Sequence, residues 1–139
     1  MLYLYFLLAS AWGQGDMGSG NPLPPCPDRP NCVRSGVEPW LPLEFETDLE
    51  EAQGRLSRIM ERFPRCNRIA GEPLRWRYQC RSRIFGFIDE LEFLFSPQER
   101  RIHYRSAART GYWDLGINAK RLRTLLRTWA SPLEKRSEE

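Results

Sequence analysis

Apolar positions change their period along the chain, and each change marks an element. From Leu49, apolar residues recur at helical spacing through Ala52, Leu56, Ile59, Met60 and Phe63, and Pro64 ends the run. Thr47-Asp48-Leu49-Glu50 reads as a capping box ahead of it, with an acidic first turn that suits the helix dipole. From Leu74 to Ile84 the period falls to two: Leu74, Trp76, Tyr78, Cys80, Ser82 and Ile84 alternate with Arg75, Arg77, Gln79, Arg81 and Arg83. Phe87 to Phe95 continues the pattern after Gly86. A turn centred on Phe85-Gly86 sets Ile84 opposite Phe87, Cys80 opposite Leu91, Tyr78 opposite Phe93 and Trp76 opposite Phe95. The other face then carries Arg81 against Glu90 and Gln79 against Glu92. Ser96 to Glu99 is the next turn, and Arg101 to Ala107 the next strand, with Ile102 and Tyr104 inward.

A second helix runs from about Asn118, its expected N-cap, to Trp129, with Leu122, Leu125, Leu126 and Trp129 as its stripe and Pro132 beyond its end. With a short first strand near Asn67 to Ala70, the pattern predicts a two-layer α+β fold. An antiparallel meander of about four strands is covered on one face by two helices.

The two ends of the chain read differently. Residues 1–13 carry a run from Leu2 to Ala11 that is almost wholly apolar but too short to span a bilayer as a helix. Ala9-Ser10-Ala11 offers small residues at the spacing a signal peptidase reads, with a second cut after Gly13, although no basic residue precedes the run. Either the start is truncated or the segment is an unusual core strand. No cysteine lies near the cleavage zone, so no lipid attachment is expected there. Residues 14–25 are a Gly/Pro-rich linker, residues 26–130 a single domain, and residues 131–139 a flexible charged tail.

The chain's 139 residues leave room for one such domain. Its basic residues are 19 Arg and 2 Lys against 18 acids, a net charge of +3. The charges come in blocks. Arg65 to Arg83 holds six Arg against Glu72, and Arg100 to Arg123 seven basic residues against Asp114; Glu38 to Glu51 and Phe87 to Glu99 hold acids and no base. Such blocks favour pairing across the sheet over binding a nucleic acid, for which no recognition motif is present. Nucleic-acid partners are therefore set aside, while an anionic small molecule, an envelope protein or peripheral membrane contact remain.

Cys26, Cys32, Cys66 and Cys80 allow three pairings. Cys26 and Cys32 close a proline-stiffened loop, and a hairpin centred on Gly71-Glu72-Pro73 sets Cys66 opposite Cys80. Two local bridges and an oxidising, exported compartment (periplasm or cell envelope) follow; buried free thiols at Cys66 and Cys80 are the alternative. With His103 the one imidazole and no C-x-x-C spacing, neither a metal nor another cofactor is expected.

The loop between the last strand and the last helix gathers chemistry. Arg105, Ser106, Arg109, Asp114, Asn118 and Arg121 flank two glycines there and suit a carboxylate or phosphate, or else Asp114 pairs with Arg109 or Arg121 and pins the loop. Asp89 falls on the apolar face, opposite Ser82 in the expected register, and so needs a partner, for which Arg105 or Arg109 is in reach. A non-catalytic binding or interaction module is the favoured reading. The alternative is a small hydrolase-like enzyme using Asp89, Asp114 and His103; against it, Ser106 and His103 point to opposite faces of one strand.

Three blocks carry a family resemblance. Cys26-Pro27-Asp28-Arg29-Pro30-Asn31-Cys32-Val33-Arg34-Ser35, Phe87-Ile88-Asp89-Glu90 and the stretch from Arg105 to Arg121 resemble, in order, the signature segments of the domain-of-unknown-function 1499 family. The chain departs at Ala108, often Ser in the family, and at Ala119, often Arg. The resemblance implies a bacterial or plastid envelope-type protein and no established activity.

Overall fold

The computed structural model describes residues 22–69, 71–111 and 114–131. The expected signal segment at 1–13, linker residues 14–21, Ala70 and the tail from 132 lie outside them. Eight elements follow in order: β1 (Cys32–Arg34), β2 (Leu43–Glu44), α1 (Leu49–Met60), β3 (Cys66–Ile69), β4 (Arg75–Arg81), β5 (Ile88–Ser96), β6 (Arg101–Ala108) and α2 (Ile117–Ala130). The sheet runs β1-β6-β5-β4-β3, with β2 also on β6, and every pairing is antiparallel.

The alternation along β4, β5 and β6 divides the sheet into two faces. Trp76, Tyr78, Cys80, Leu91, Phe93, Phe95, Ile102 and Tyr104 form the buried face, and Ala52, Leu56 and Ile59 of α1 and Leu122, Leu125 and Trp129 of α2 pack on it. The fold class is the one the periodicities predict. The meander β3-β4-β5-β6 is its centre, and β1 and β2, three and two residues long, complete one edge.

The β4–β5 register lies two residues from the expected alignment. Tyr78 is opposite Leu91, Trp76 opposite Phe93, and Cys80 opposite Asp89. The connection is a four-residue turn: Ser82 N–H donates to the Phe87 carbonyl and Phe87 N–H donates to Ser82 Oγ, each at 2.9 Å. Gly86 takes the left-handed conformation at φ 66°, which a side chain would strain. A shift of two keeps each side chain on its face, so the aromatic pairs expected directly opposite meet diagonally. Trp76–Phe95 and Tyr78–Phe93 pack edge to face at 4.9 and 5.8 Å. On the other face Arg77 is opposite Glu92 and Gln79 opposite Glu90.

Both helix starts differ by a residue or two from the expected ones. Asp48, not Thr47, caps α1, accepting from Glu51 N–H at 2.9 Å. Gly116 is the N-cap of α2, and Asn118 lies inside the first turn, fully buried. Cys26–Cys32 and Cys66–Cys80 are disulfide-bonded, the second joining directly opposed residues of β3 and β4. Leu23 is buried and its carbonyl accepts two hydrogen bonds from Arg34, so packing reaches back into the linker ahead of Cys26.

Candidate functional site

Asp89 and Ser106 lie on the helix-covered face of β5 and β6, and the first turn of α2 comes down on them. Arg121 Nη2 donates to Asp89 Oδ2 at 3.0 Å, with both side chains nearly sealed from solvent. Its Nη1 donates to Asn118 Oδ1 at 2.9 Å and to Ser106 Oγ at 3.3 Å, while the Ser106 hydroxyl donates to Asn118 Oδ1. Asp114 closes the network. Its carboxylate accepts from the backbone N–H groups of Gly116 and Asn118 at 2.9 and 3.0 Å and from Asn118 Nδ2 at 2.6 Å. Those amides are among the helix's four free donors, so Asp114 takes the place of a capping side chain. Gly116, at φ 75°, lets the chain fold back far enough for this. Asn118 Nδ2 also donates to the Asn31 carbonyl, and Asn31 Nδ2 to the Gly111 carbonyl. Residues from all three family-like blocks thus meet in one network.

Four of the expected site residues converge with Asp89: Ser106, Asp114, Asn118 and Arg121. Two do not. Arg105 is opposite Glu92 and Arg34, on the other face of β6, so it is no partner for Asp89; its Nε is buried without a hydrogen-bond partner. Arg109 pairs with exposed Glu90 at 3.0 Å. The partner of Asp89 is Arg121, and Asp114 binds backbone amides rather than Arg109 or Arg121. The first has a tertiary cause, since α2 crosses the end of the sheet at Asp89 and no local spacing encodes that contact; the second is local, since the helix start two and four residues on takes up the Asp114 carboxylate.

His103 is far from this network. It sits on the opposite face from Tyr104 and five positions along β6 from Ala108, which pairs with Asp89, or about 17 Å at the usual strand rise. Its imidazole is buried, with Nε2 3.3 Å from Glu99 Oε2 and Nδ1 without a partner. Burial lowers its pKa, and the Glu99 carboxylate only partly offsets this. Asp89, Asp114 and His103 therefore do not share a site. Tyr104, fully buried, donates its hydroxyl to the Leu41 carbonyl at 2.6 Å, and burial holds its proton well above the ordinary phenol range.

Next to the buried network a cleft of about 380 Å³ opens between the start of α2 and the ends of β3 and β4. Phe63, Pro64, Cys66, Ser82, Ile117 and Thr124 line it together with five basic residues, Arg65, Arg81, Arg83, Lys120 and Arg121, and no carboxylate. Arg121 is held by Asp89; Arg65, Arg81, Arg83 and Lys120 have no ion-pair partner among the described residues. Arg81 N–H donates to the Arg65 carbonyl at 3.0 Å, extending the Cys66–Cys80 register, so two arginines stand opposite each other. Like charges in that relation repel. Elsewhere on the sheet arginines meet acids: Arg75 with Glu92 at 2.7 Å, Arg109 with Glu90 and Arg101 with Glu44. Among the described residues Arg65, Arg81 and Arg83 at the cleft lack such a partner, as do Arg105 and Arg68, which stacks over the Trp76 ring instead. A larger hollow of about 570 Å³ near Leu41, Leu126 and Trp129, at the far end of α2, contains none of the expected site residues.

By spacing alone Arg65, Arg81 and Arg83 belong to the charged face of the sheet, and Arg121 to the loop site. The signal that marks them is the disulfide itself, since pairing Cys66 with Cys80 sets Arg65 beside Arg81.

The family model described as a protein of unknown function (DUF1499) matches residues 22–128, and the chain belongs to that family. No curated protein and no solved structure matches it.

Proposed function

We propose that this member of the family is an exported cell-envelope protein that binds, without catalysis, a ligand bearing phosphate or carboxylate groups in the cleft of Arg65, Arg81, Arg83, Lys120 and Arg121. One observation carries the reading: five basic residues line one concave surface with no acid among them, whereas Arg75, Arg77, Arg101 and Arg109 elsewhere each meet a carboxylate. Cations gathered around a hollow raise the local concentration of anions, and Arg suits the geometry of a carboxylate or phosphate. Arg121 is at once the floor of the cleft and the anchor of the buried network. Asp89, Ser106, Asp114 and Asn118 then serve to hold α2 in place, as positioning residues rather than ligand contacts.

Export is supported by the two disulfides, which persist in oxidising compartments. No helix among the described residues is long and apolar enough to cross a membrane. No observation favours the hydrolase reading, because Asp89 and Asp114 are engaged in the buried network and His103 lies far along β6 from Asp89.

Thermal-shift measurements with inorganic phosphate, sulfate and citrate test the binding reading against wild type and Arg81→Glu. Stabilisation of wild type, lost in Arg81→Glu, is expected; equal responses, or none across the panel, overturn it.

A further inference from the structure

The turn joining β4 to β5 carries three large apolar side chains outward. Ile84 is 82% exposed, Phe85 67% and Phe87 62%, and the Phe85 and Phe87 rings stack at 5.5 Å without joining the core. A side chain built on Gly86 would meet nothing within 4 Å, so the turn projects into open space. Its base is fixed by the Ser82–Phe87 hydrogen bonds. Leu115, 63% exposed, lies on the 109–116 connection at the same end of the sheet, where Arg109 N–H donates to the Ile88 carbonyl.

Arg81 and Arg83 enter this turn directly, both are exposed, and both line the basic cleft. The segment from Arg81 to Phe87 contains no acid. One end of the molecule thus presents a narrow apolar tip backed by a group of cations.

We propose that this end docks on a lipid bilayer, with Ile84, Phe85 and Phe87 entering the interfacial region and the cleft taking the headgroup phosphate of an anionic phospholipid. The inference rests on the anion-binding reading of the cleft and names the source of the anion. Charge complementarity selects the occupant: an anionic leaflet attracts the cations, while apolar side chains such as Phe and Ile bury at the boundary between headgroups and acyl chains. Neither signal alone gives firm attachment, and their combination is what holds peripheral proteins at anionic surfaces. A protruding turn penetrates a fluid interface, whereas a protein partner would need a matching socket.

The test is co-sedimentation of the full chain with phosphatidylcholine vesicles, with and without phosphatidylglycerol. Wild type is compared with Phe85→Ser/Phe87→Ser and with Arg81→Glu/Arg83→Glu. All three carry the same amino-terminal segment, so its contribution is common to each. Wild type is expected to favour the anionic vesicles, with binding that weakens as salt rises. Both Phe side chains are exposed and lie outside the core cluster, so the double variant is expected to keep the wild-type melting temperature and its response to inorganic phosphate, yet to lose vesicle binding by about tenfold. The Arg double variant loses both.

Vesicle binding equal in wild type and the Phe variant overturns the proposal. So does phosphate binding without vesicle binding, which leaves the anion reading standing; failure of both removes the two readings together. Self-association that disappears in the Phe variant, with no vesicle binding, assigns the tip to a second copy of the chain and overturns the membrane assignment.

Discussion

Asp89 on β5 and Arg121 on α2, 32 residues apart in sequence, meet at 3.0 Å beneath the start of the second helix. This contact fixes the angle at which α2 leaves the sheet, and with it the wall of the basic cleft that Lys120 and Arg121 form. A buried pair adds little over an apolar substitute, but removing one partner strands the other charge.

Asp89→Asn is therefore expected to destabilise the protein by about 3 kcal/mol in urea denaturation, because Arg121 keeps its charge and loses its counter-ion. Asp89→Leu/Arg121→Met recovers a large part of that loss. Additive single effects would show that the pair is not coupled.

Asp114→Ala removes the carboxylate that caps α2 and holds Asn118. A loss of about 1–2 kcal/mol is expected, at the upper end of a capping effect, since the freed Asn118 amide is buried. Asp114→Asn retains one acceptor and should fall between the two; thermal unfolding of the three proteins orders them.

His103 gives the protein a pH dependence. Its native pKa is below the ordinary 6.5, chiefly through burial; Glu99 opposes the shift, and Arg101 and Arg34 reinforce it. The unfolded chain therefore takes up this proton at higher pH than the native state. The contribution is fully present above the unfolded value and is lost as the pH falls through the window below it. His103→Gln should flatten the stability profile between about pH 7 and pH 5. A variant profile parallel to wild type would contradict this.

Cys66→Ala/Cys80→Ala frees β3, whose strand neighbour among the described residues is β4 alone, and should cost about 3 kcal/mol by the loop-closure argument. Arg65 and Arg81 then separate under their own repulsion, so the response to phosphate should weaken beyond what the stability loss accounts for. Ellman titration of the unfolded, unreduced wild type should find no free thiol.

The helices, the four-stranded meander and both disulfides were legible because each leaves a periodic or pairwise trace in the sequence. The β4–β5 register was not, since a shift of two keeps Trp76, Tyr78 and Cys80 on the same face and only the turn chemistry of Ser82 and Phe87 distinguishes the alignments. β1 and β2 are too short to show a period. Ser106, Asp114, Asn118 and Arg121 meet in the fold, and the sequence places them near one another because one strand–loop–helix segment carries them. It could not assign Asp89 to Arg121, nor bring Arg65, Arg81 and Arg83 to the start of α2, because those meetings depend on how the helix crosses the sheet.

Titration of inorganic phosphate into the isotope-labelled protein, followed by amide chemical shifts, decides whether the basic cleft binds anions. Saturable shifts are expected at Arg65, Arg81, Arg83, Lys120 and Arg121, absent in Arg81→Glu. Shifts centred on Arg105 or Arg109, or none above those from an equal ionic strength of chloride, would contradict binding in the cleft.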